Sequence, residues 1–367
     1  MIFLTINDEP GGVYKSQVIE VTQYLNSLAV KPVKLVSFVS WRNYRKNRKQ
    51  IRHWLPGSVV LPMFPGIQFW KLNVVILFFV RGIRRDTIIA RNPMAFWVAY
   101  RLNKRTIYDG RGAVGCELKE YPDIIKKPKI VQSISDAERK AVLQSIHRIA
   151  VSEKLVEHWR NEFKYDDFAH VVIPCTITPK EITVEKVILD KRRQLGFDTN
   201  TILLIYSGGV SGWQSFQLLS NVLENLMTDP LVRIIFLSPP SSLLENIAMR
   251  FPGRTLQQWI KPEDVHGFLC IADYGLLIRE KNQTNGTASP VKFGEYLNAG
   301  LKVILSKNIG DFSDLVTSHN LGHIYANDHI KLSPLTFEER QRLNEFADLH
   351  LSKNAYQSAY RKLRLLS

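Results

Sequence analysis

The chain has 367 residues, 45% of them hydrophobic and 23% charged, with a formal net charge of +15. That length suits two domains, and the composition excludes a disordered or fibrous chain. Cys116, Cys175 and Cys270 lie far apart without metal-ligand spacing, which excludes a disulfide framework and a zinc ribbon. The opening residues turn acidic too soon for a signal peptide, and the most apolar stretch, 67–80, is broken by Lys71 and Asn73. The expectation is a cytoplasmic protein, peripheral on the inner face of a membrane if it meets one. The charge is uneven. Residues 1–175 carry 28 Lys and Arg against 15 Asp and Glu, so a basic partner surface belongs to the N-terminal half.

In chain order, Ile2–Ile6 reads as a strand, then come a polar loop ending in Gly11-Gly12 and a helix over 14–28. A strand, a Gly-Gly loop and a helix make a doubly wound opening whose backbone can approach a ligand; a plain tight turn gives the same pattern. After a strand at 33–39, residues 41–54 place Arg42, Arg45, Lys46, Arg48, Lys49 and Arg52 at helical spacing among Trp41, Tyr44, Ile51 and Trp54. No nucleic-acid motif accompanies them; an anionic membrane surface or a plain solvated helix face fits better. Residues 59–63 and 87–91 read as strands. Residues 67–80 read as a core-packed helix, and 94–102 as another helix. A strand over 105–108 runs into Asp109-Gly110-Arg111-Gly112, where open α/β sheets place ligands. Glu117 and Glu120 follow on a helix. A helix at 135–146, a strand at 148–151 and a helix capped by Ser152 complete the first half, with the crossover at 174–179. Cys175 reads as a packing residue, with no basic or His partner near it in sequence.

The second half opens on a strand at 201–206 and a glycine-rich loop containing Gly208 and Gly209, a shape that cradles phosphates through backbone N–H groups. A helix is expected over 213–227, strands at 233–237 and 255–259, a helix at 264–271 and a strand at 275–278. The stretch 279–305 then joins a polar loop to a helix capped by Ser289 with Pro290 in its first turn, ended by Gly300 before a strand at 303–305. That helix start is a ready anion site. Lys292 in its first turn is unfavourable unless an anion binds, and Glu295 sits where it could take a ribose hydroxyl.

The run Ser289-Pro290-Val291-Lys292-Phe293-Gly294-Glu295-Tyr296, with Gly300, resembles the S-P-x-K-x-x-E-Y-x-x-x-G donor-site variant of family-4-type retaining glycosyltransferases. Asp109 to Gly112, Ala150 to Leu155 and Pro174 to Pro179 resemble further steps of that family. The resemblance implies an α/β GT-B fold: two Rossmann-like, doubly wound parallel-sheet domains facing a cleft. The expected division is 1–175 for the acceptor domain, 176–350 for the donor domain, and 351–367 for a helix crossing back. By the same resemblance Gly11, Gly12, Gly208, Gly209, Thr287, Ser289, Pro290, Val291 and Glu295 bind the donor. Asp109, Arg111, Arg279, Glu280 and Lys292 are the candidate catalytic groups.

Two departures stand out. Thr287 replaces the family's first Glu, and Gly209 and Trp213-Gln214 replace its diphosphate-binding Arg and Lys. The implied activity is metal-independent transfer of a hexosyl group from a nucleotide-diphosphate sugar to a saccharide hydroxyl, in cell-surface polysaccharide or glycolipid synthesis. No cofactor is expected, and no nucleic acid. The expected partners are the nucleotide sugar, a saccharide acceptor that the charge allows to be lipid-linked, and an anionic membrane surface. Two alternatives are a catalytically degenerate nucleotide-sugar-binding or scaffold protein and a GT-B sugar-nucleotide epimerase. An epimerase would need carboxylates such as Asp109, Glu117 and Glu280.

Overall fold

The computed structural model describes residues 1–28, 31–209, 216–326 and 330–366. The chain forms two compact units: Met1–Thr178 with Thr287–Ser289 and Tyr356–Ser367, and Pro179–Gly286 with Pro290–Ala355.

The first unit holds a seven-stranded parallel sheet in the order β3-β2-β1-β4-β5-β6-β7. Its strands are β1 Ile2–Ile6, β2 Lys34–Val39, β3 Val59–Pro62, β4 Ile88–Arg91, β5 Thr106–Gly110, β6 Arg148–Ala150 and β7 His170–Val172. Apolar side chains leave both faces of the central strands, as a sheet covered on both sides requires. Ile2, Leu4, Val36 and Phe38 pack on one face with Trp70, Phe96 and Trp159. Phe3, Leu35, Ile89 and Ile107 pack on the other with Ile51, Tyr360 and Leu363 of the C-terminal helix Gln357–Leu365. A Cβ on Gly110 would meet the Trp159 ring, so β5 can end there only without a side chain.

The second unit holds six parallel strands in the order β10-β9-β8-β11-β12-β13: β8 Ile202–Ser207, β9 Val232–Leu237, β10 Thr255–Gln258, β11 Tyr274–Leu277, β12 Lys302–Ser306 and β13 Gly322–Tyr325. Its centre is Asp273, fully buried. The carboxylate accepts from Arg192 at 3.2 Å and Arg340 at 2.5 Å, and from the backbone N–H of Leu203 and Leu335. Asp273 therefore binds helix Glu185–Gln194 and helix Phe337–Leu351 to the start of the sheet.

Most of the expected elements are present within a residue or two. Several differ. Helix Pro128–Gln144 starts seven residues before the expected 135, because Pro128 occupies its first turn. Helices Glu185–Gln194 and Ser242–Arg250 were not anticipated. The inner side of Glu185–Gln194 carries Arg192 beside Ile188, so its polar run hid a buried face. The segment 67–80 is a 3-10 helix, Ile67–Leu72, continued by helix Asn73–Phe78. Only half of it is core, since Trp70, Leu77 and Val80 are buried while Phe69, Leu72, Val75, Phe78 and Phe79 face outward. In helix Tyr44–Trp54, Tyr44, Ile51 and Trp54 pack inward, and the outward face is charged.

Removing one partner of a buried ion pair leaves uncompensated charge, so Asp273→Ala should destabilise the protein by about 3–5 kcal/mol. Chemical denaturation should show a midpoint shift of that order; a loss below about 1 kcal/mol would mean the two guanidinium groups find other partners.

Candidate functional site

Each sheet reverses its strand order at one point, between β1 and β4 in the first unit and between β8 and β11 in the second. The carboxyl ends of those strands are where open α/β sheets accept ligands.

In the first unit a chain of alternating charges lies there. Asp8, just past β1, is 3.3 Å from Arg91 Nε, and Arg91 Nη1 is 3.7 Å from Asp109. Asp109, at the end of β5, is 3.3 Å from Arg111 Nη1. Arg111 also donates to Gln17 Oε1 and to Cys175 Sγ. Gln17 in turn donates to the Thr176 carbonyl. Thus the fold brings Asp109 and Arg111 together and takes them largely out of water: Asp109 is 3% exposed and belongs to β5 itself. Lost hydration pushes the Asp8 carboxyl above its usual range, opposed by Arg91. Cys175 has a basic partner after all, supplied by the fold and not by its neighbours in sequence.

The segment after Arg111 is pinned by Glu138. This carboxylate, 1% exposed on the apolar side of Pro128–Gln144, accepts from the backbone N–H of Val114 and Gly115 at 2.9 and 2.7 Å. Burial raises its pKa to about 7, against those two hydrogen bonds. Gly11 and Gly12 are exposed, with open space where a Cβ would sit, so packing does not demand glycine at either position. Thr287 and Ser289, assigned to the donor, are nearly buried and engaged with this unit. Thr287 Oγ1 accepts from the Ala113 N–H, its carbonyl accepts from Ser152 Oγ, and Ser289 Oγ accepts from the Cys175 N–H. Ser152 also caps helix Glu153–Phe163, as its sequence position predicts.

In the second unit, helix Val291–Asn298 begins one residue later than expected. Pro290, extended at ψ 122°, holds the cap position, and Ser289 does not cap. The reason is the extended backbone at Pro290 together with the bond that already occupies Ser289 Oγ. The motif divides by face. Phe293 stacks on Phe312, with ring centroids 4.0 Å apart, and buried Tyr296 ties the helix to the strand ends. Its hydroxyl accepts from the Ser207 N–H at 3.1 Å and donates to the Leu276 carbonyl. The Tyr296 ring lies where a Cβ on Gly275 would have to be, which is why β11 carries glycine there.

Lys292 and Glu295 form the half-exposed face. Lys292 Nζ is 2.6 Å from Glu295 Oε2 and donates to Ser207 Oγ at 3.2 Å. Arg279 sits beside the end of β12, its N–H donating to Ser306 Oγ and its Nη1 to Asn285 Oδ1. Fully buried Asn285 organises the loop by donating to the Glu280 carbonyl and accepting from the Gly310 N–H. The Glu280 side chain is exposed. The Gly208 N–H is committed to the Leu237 carbonyl, while the carbonyls of Gly208 and Gly209 accept from Ser238 and Tyr206. Trp213 and Gln214 lie outside the described residues. Lys292 thus stands at the end of β8 through Ser207, and Arg279 stands at the end of β12 through Ser306.

Sequence reasoning missed Asp8, Arg91, Glu138 and Asn285. Only Glu138 left a local signal, a carboxylate on a helix face otherwise made by Ile134, Ala137, Ala141 and Val142. Among the described residues no three His, Cys, Asp or Glu side chains group as a metal site, and no helix is long and apolar enough to cross a membrane.

No family model matches the sequence, and no curated protein does. Solved structures do match it. HepE of Anabaena, in complex with UDP-glucose, superposes with a TM-score of 0.66 at 12% identity, over 99% of both chains. The fold is GT-B. A glycosyltransferase from Rickettsia africae matches with a TM-score of 0.62 at 12% identity over 98% of each chain. A protein assigned as a UDP-N-acetylglucosamine 2-epimerase, from Listeria monocytogenes, matches at 0.55 and 10% identity, over 98% of this chain and 89% of that one.

The buried Glu138 carboxyl keeps its proton to higher pH than in the unfolded chain. The native state therefore holds an extra proton between about 4.5 and about 7, and stability falls as pH rises through that window. The loss should total up to about 3 kcal/mol. Glu138→Gln should flatten stability against pH over the same range; an unchanged slope would place the titration elsewhere.

Proposed function

We propose that this protein transfers a hexosyl group from a nucleotide-diphosphate sugar to a hydroxyl of a saccharide, with retention at the anomeric carbon. The observation that carries the reading is the placement of the 289–300 motif. Its charged residues, Lys292 and Glu295, stand beside Ser207 at the reversal point of a GT-B sheet, on a helix start that attracts anions. HepE, of the same fold over the full chain, is seen with UDP-glucose.

In the reaction the bond from the anomeric carbon to the β-phosphate oxygen breaks, and its electron pair leaves on the diphosphate. The acceptor oxygen bonds to that carbon, and its proton passes to the departing phosphate oxygen. The developing charge is met by the N–H groups at the start of Val291–Asn298, by Lys292 and by Arg279. Glu295 takes the ribose hydroxyls. Thr287 and Ser289, whose side chains already engage backbone N–H groups of the first unit, have no role in the scheme. No cofactor enters the scheme. The acceptor is a saccharide, lipid-linked in the version the basic N-terminal half favours. The setting is cell-surface polysaccharide or glycolipid synthesis on the cytoplasmic side of a membrane. The Listeria likeness keeps epimerisation of a nucleotide sugar as the second reading.

A thermal-shift series with UDP, GDP, ADP and their sugars tests the donor site. A diphosphate at about 100 times its Kd adds about 2.7 kcal/mol to stability. One base should give a clear rise in Tm, and Lys292→Ala should abolish it. Glu295→Ala should weaken that ligand about tenfold through loss of the ribose contact. The absence of a shift with every nucleotide would exclude the transferase and leave the degenerate-scaffold reading. Conversion of the bound sugar into its 2-epimer without an acceptor would decide for the epimerase.

A further inference from the structure

The outward side of 67–79 has no counterpart in the transfer scheme. Phe69, Leu72, Val75 and Phe79 follow one another at spacings of three and four along Ile67–Leu72 and Asn73–Phe78, and Phe78 stands beside Phe79. All five are exposed, Phe79 at 79% and Val75 at 53%. The row borders a groove of about 430 Å³ lined by Val59, Leu61, Val75, Ile76, Phe79 and Val80, with Lys34 and Arg81 also on its wall. A contiguous apolar row of this kind marks an interaction surface.

The surrounding charge identifies the partner. Between residues 67 and 105 the exposed charged side chains are Lys71, Arg81, Arg84, Arg85, Arg101, Lys104 and Arg105, against Asp86 alone. Several of these cations lie over aromatic rings. Arg84 is 3.7 Å from the centroid of Phe78, Lys104 is 3.6 Å from that of Tyr100, and Lys71 and Arg101 both approach Trp97. A protein interface core is depleted of Lys and of unpaired like charge. Phenylalanines ringed by Lys and Arg suit the boundary between acyl chains and anionic headgroups.

A second basic surface flanks the same sheet edge. Val59 and Leu61 of β3 pack towards 67–80, while Val60 packs with Ile51 of helix Tyr44–Trp54. That helix displays Arg45, Lys46, Lys49 and Arg52, and Trp41 just before it is 61% exposed.

We propose that the 67–85 segment is the element by which this chain docks on an anionic lipid bilayer, its phenylalanines entering the acyl region and its Lys and Arg side chains meeting the headgroups. This goes beyond the transfer reading, with which it shares only the membrane setting. Vesicle binding needs neither donor nor acceptor, so either can fail without the other.

Vesicle flotation of the full chain tests it. The protein should float with equal parts phosphatidylcholine and phosphatidylglycerol, and far less with phosphatidylcholine alone. Phe69→Ser with Phe79→Ser should lower partitioning at least about tenfold, with Tm unchanged because both side chains face outward. Arg81→Glu with Arg84→Glu should lower it by a similar factor, more at low salt than at high. Flotation of the serine variant like the wild type, or no preference for the anionic vesicles, would overturn the proposal. So would a dimer in sedimentation equilibrium that the serine substitutions dissolve, since the face would then belong to a second copy.

Discussion

A charge taken out of water must be paired, and both units are arranged around that constraint. In the second unit one carboxylate, Asp273, meets Arg192 and Arg340 from two helices and caps two backbone N–H groups besides. In the first, Asp8, Arg91, Asp109 and Arg111 alternate in sign across the ends of β1, β4 and β5. The two clusters sit at opposite ends of their strands. Asp273 lies just before β11 and holds the sheet's entry side, whereas the alternating chain lies where β1 and β4 finish. A parallel sheet covered on both faces offers polar groups only at its strand ends. Stability therefore takes the amino ends in the second unit, and the carboxyl ends stay available for chemistry.

At the second unit's carboxyl ends the pairing is looser. The side chains of Lys292 and Glu295 are 28% and 33% exposed, so their 2.6 Å ion pair is held in partial contact with water. Partly screened pairs are worth little, and an entering anion can take Lys292 from Glu295 at small cost. In the proposed function that exchange is coupled: the diphosphate that claims Lys292 frees Glu295 for the ribose. Tyr296 and Phe293, by contrast, are packed inside the unit and fix the helix from which both side chains project. The motif thus joins a rigid inner face to an exchangeable outer one.

The sequence disclosed what depends on near neighbours. Apolar runs placed the strands of both sheets, and the glycine at 300, which has a positive φ, marked the end of helix Val291–Asn298. What it concealed depends on distant partners. Arg91 looked like one more cation in a basic half-chain, and only the parallel register of β4 with β5 sets it opposite Asp109. Helix Glu185–Gln194 was hidden because its inner face includes Arg192, a residue that pattern reading assigns to solvent. Ser289 was read as a cap from local chemistry, but its hydroxyl is occupied by the Cys175 N–H, 114 positions away in sequence. The segment 67–80 failed for another reason: it is apolar on both sides, so periodicity has no polar face from which to find the inner one.

The same limit applies to net charge. A balance of +15 suggests one basic surface, but in the first unit the cations fall into two groups with different physics. Arg91, Arg111 and Arg148 are largely buried, each beside a carboxylate, and their fields end within the unit. Lys71, Arg81, Arg84, Arg101 and Lys104 are exposed, and four of them lie over rings whose faces soften but do not cancel the charge. Only this second group contributes to a long-range potential. The alternating core therefore does not compete with the exposed group for partners. Paired charge shapes the strand ends, and unpaired charge, gathered around an exposed apolar row, is what an approaching anionic surface would meet.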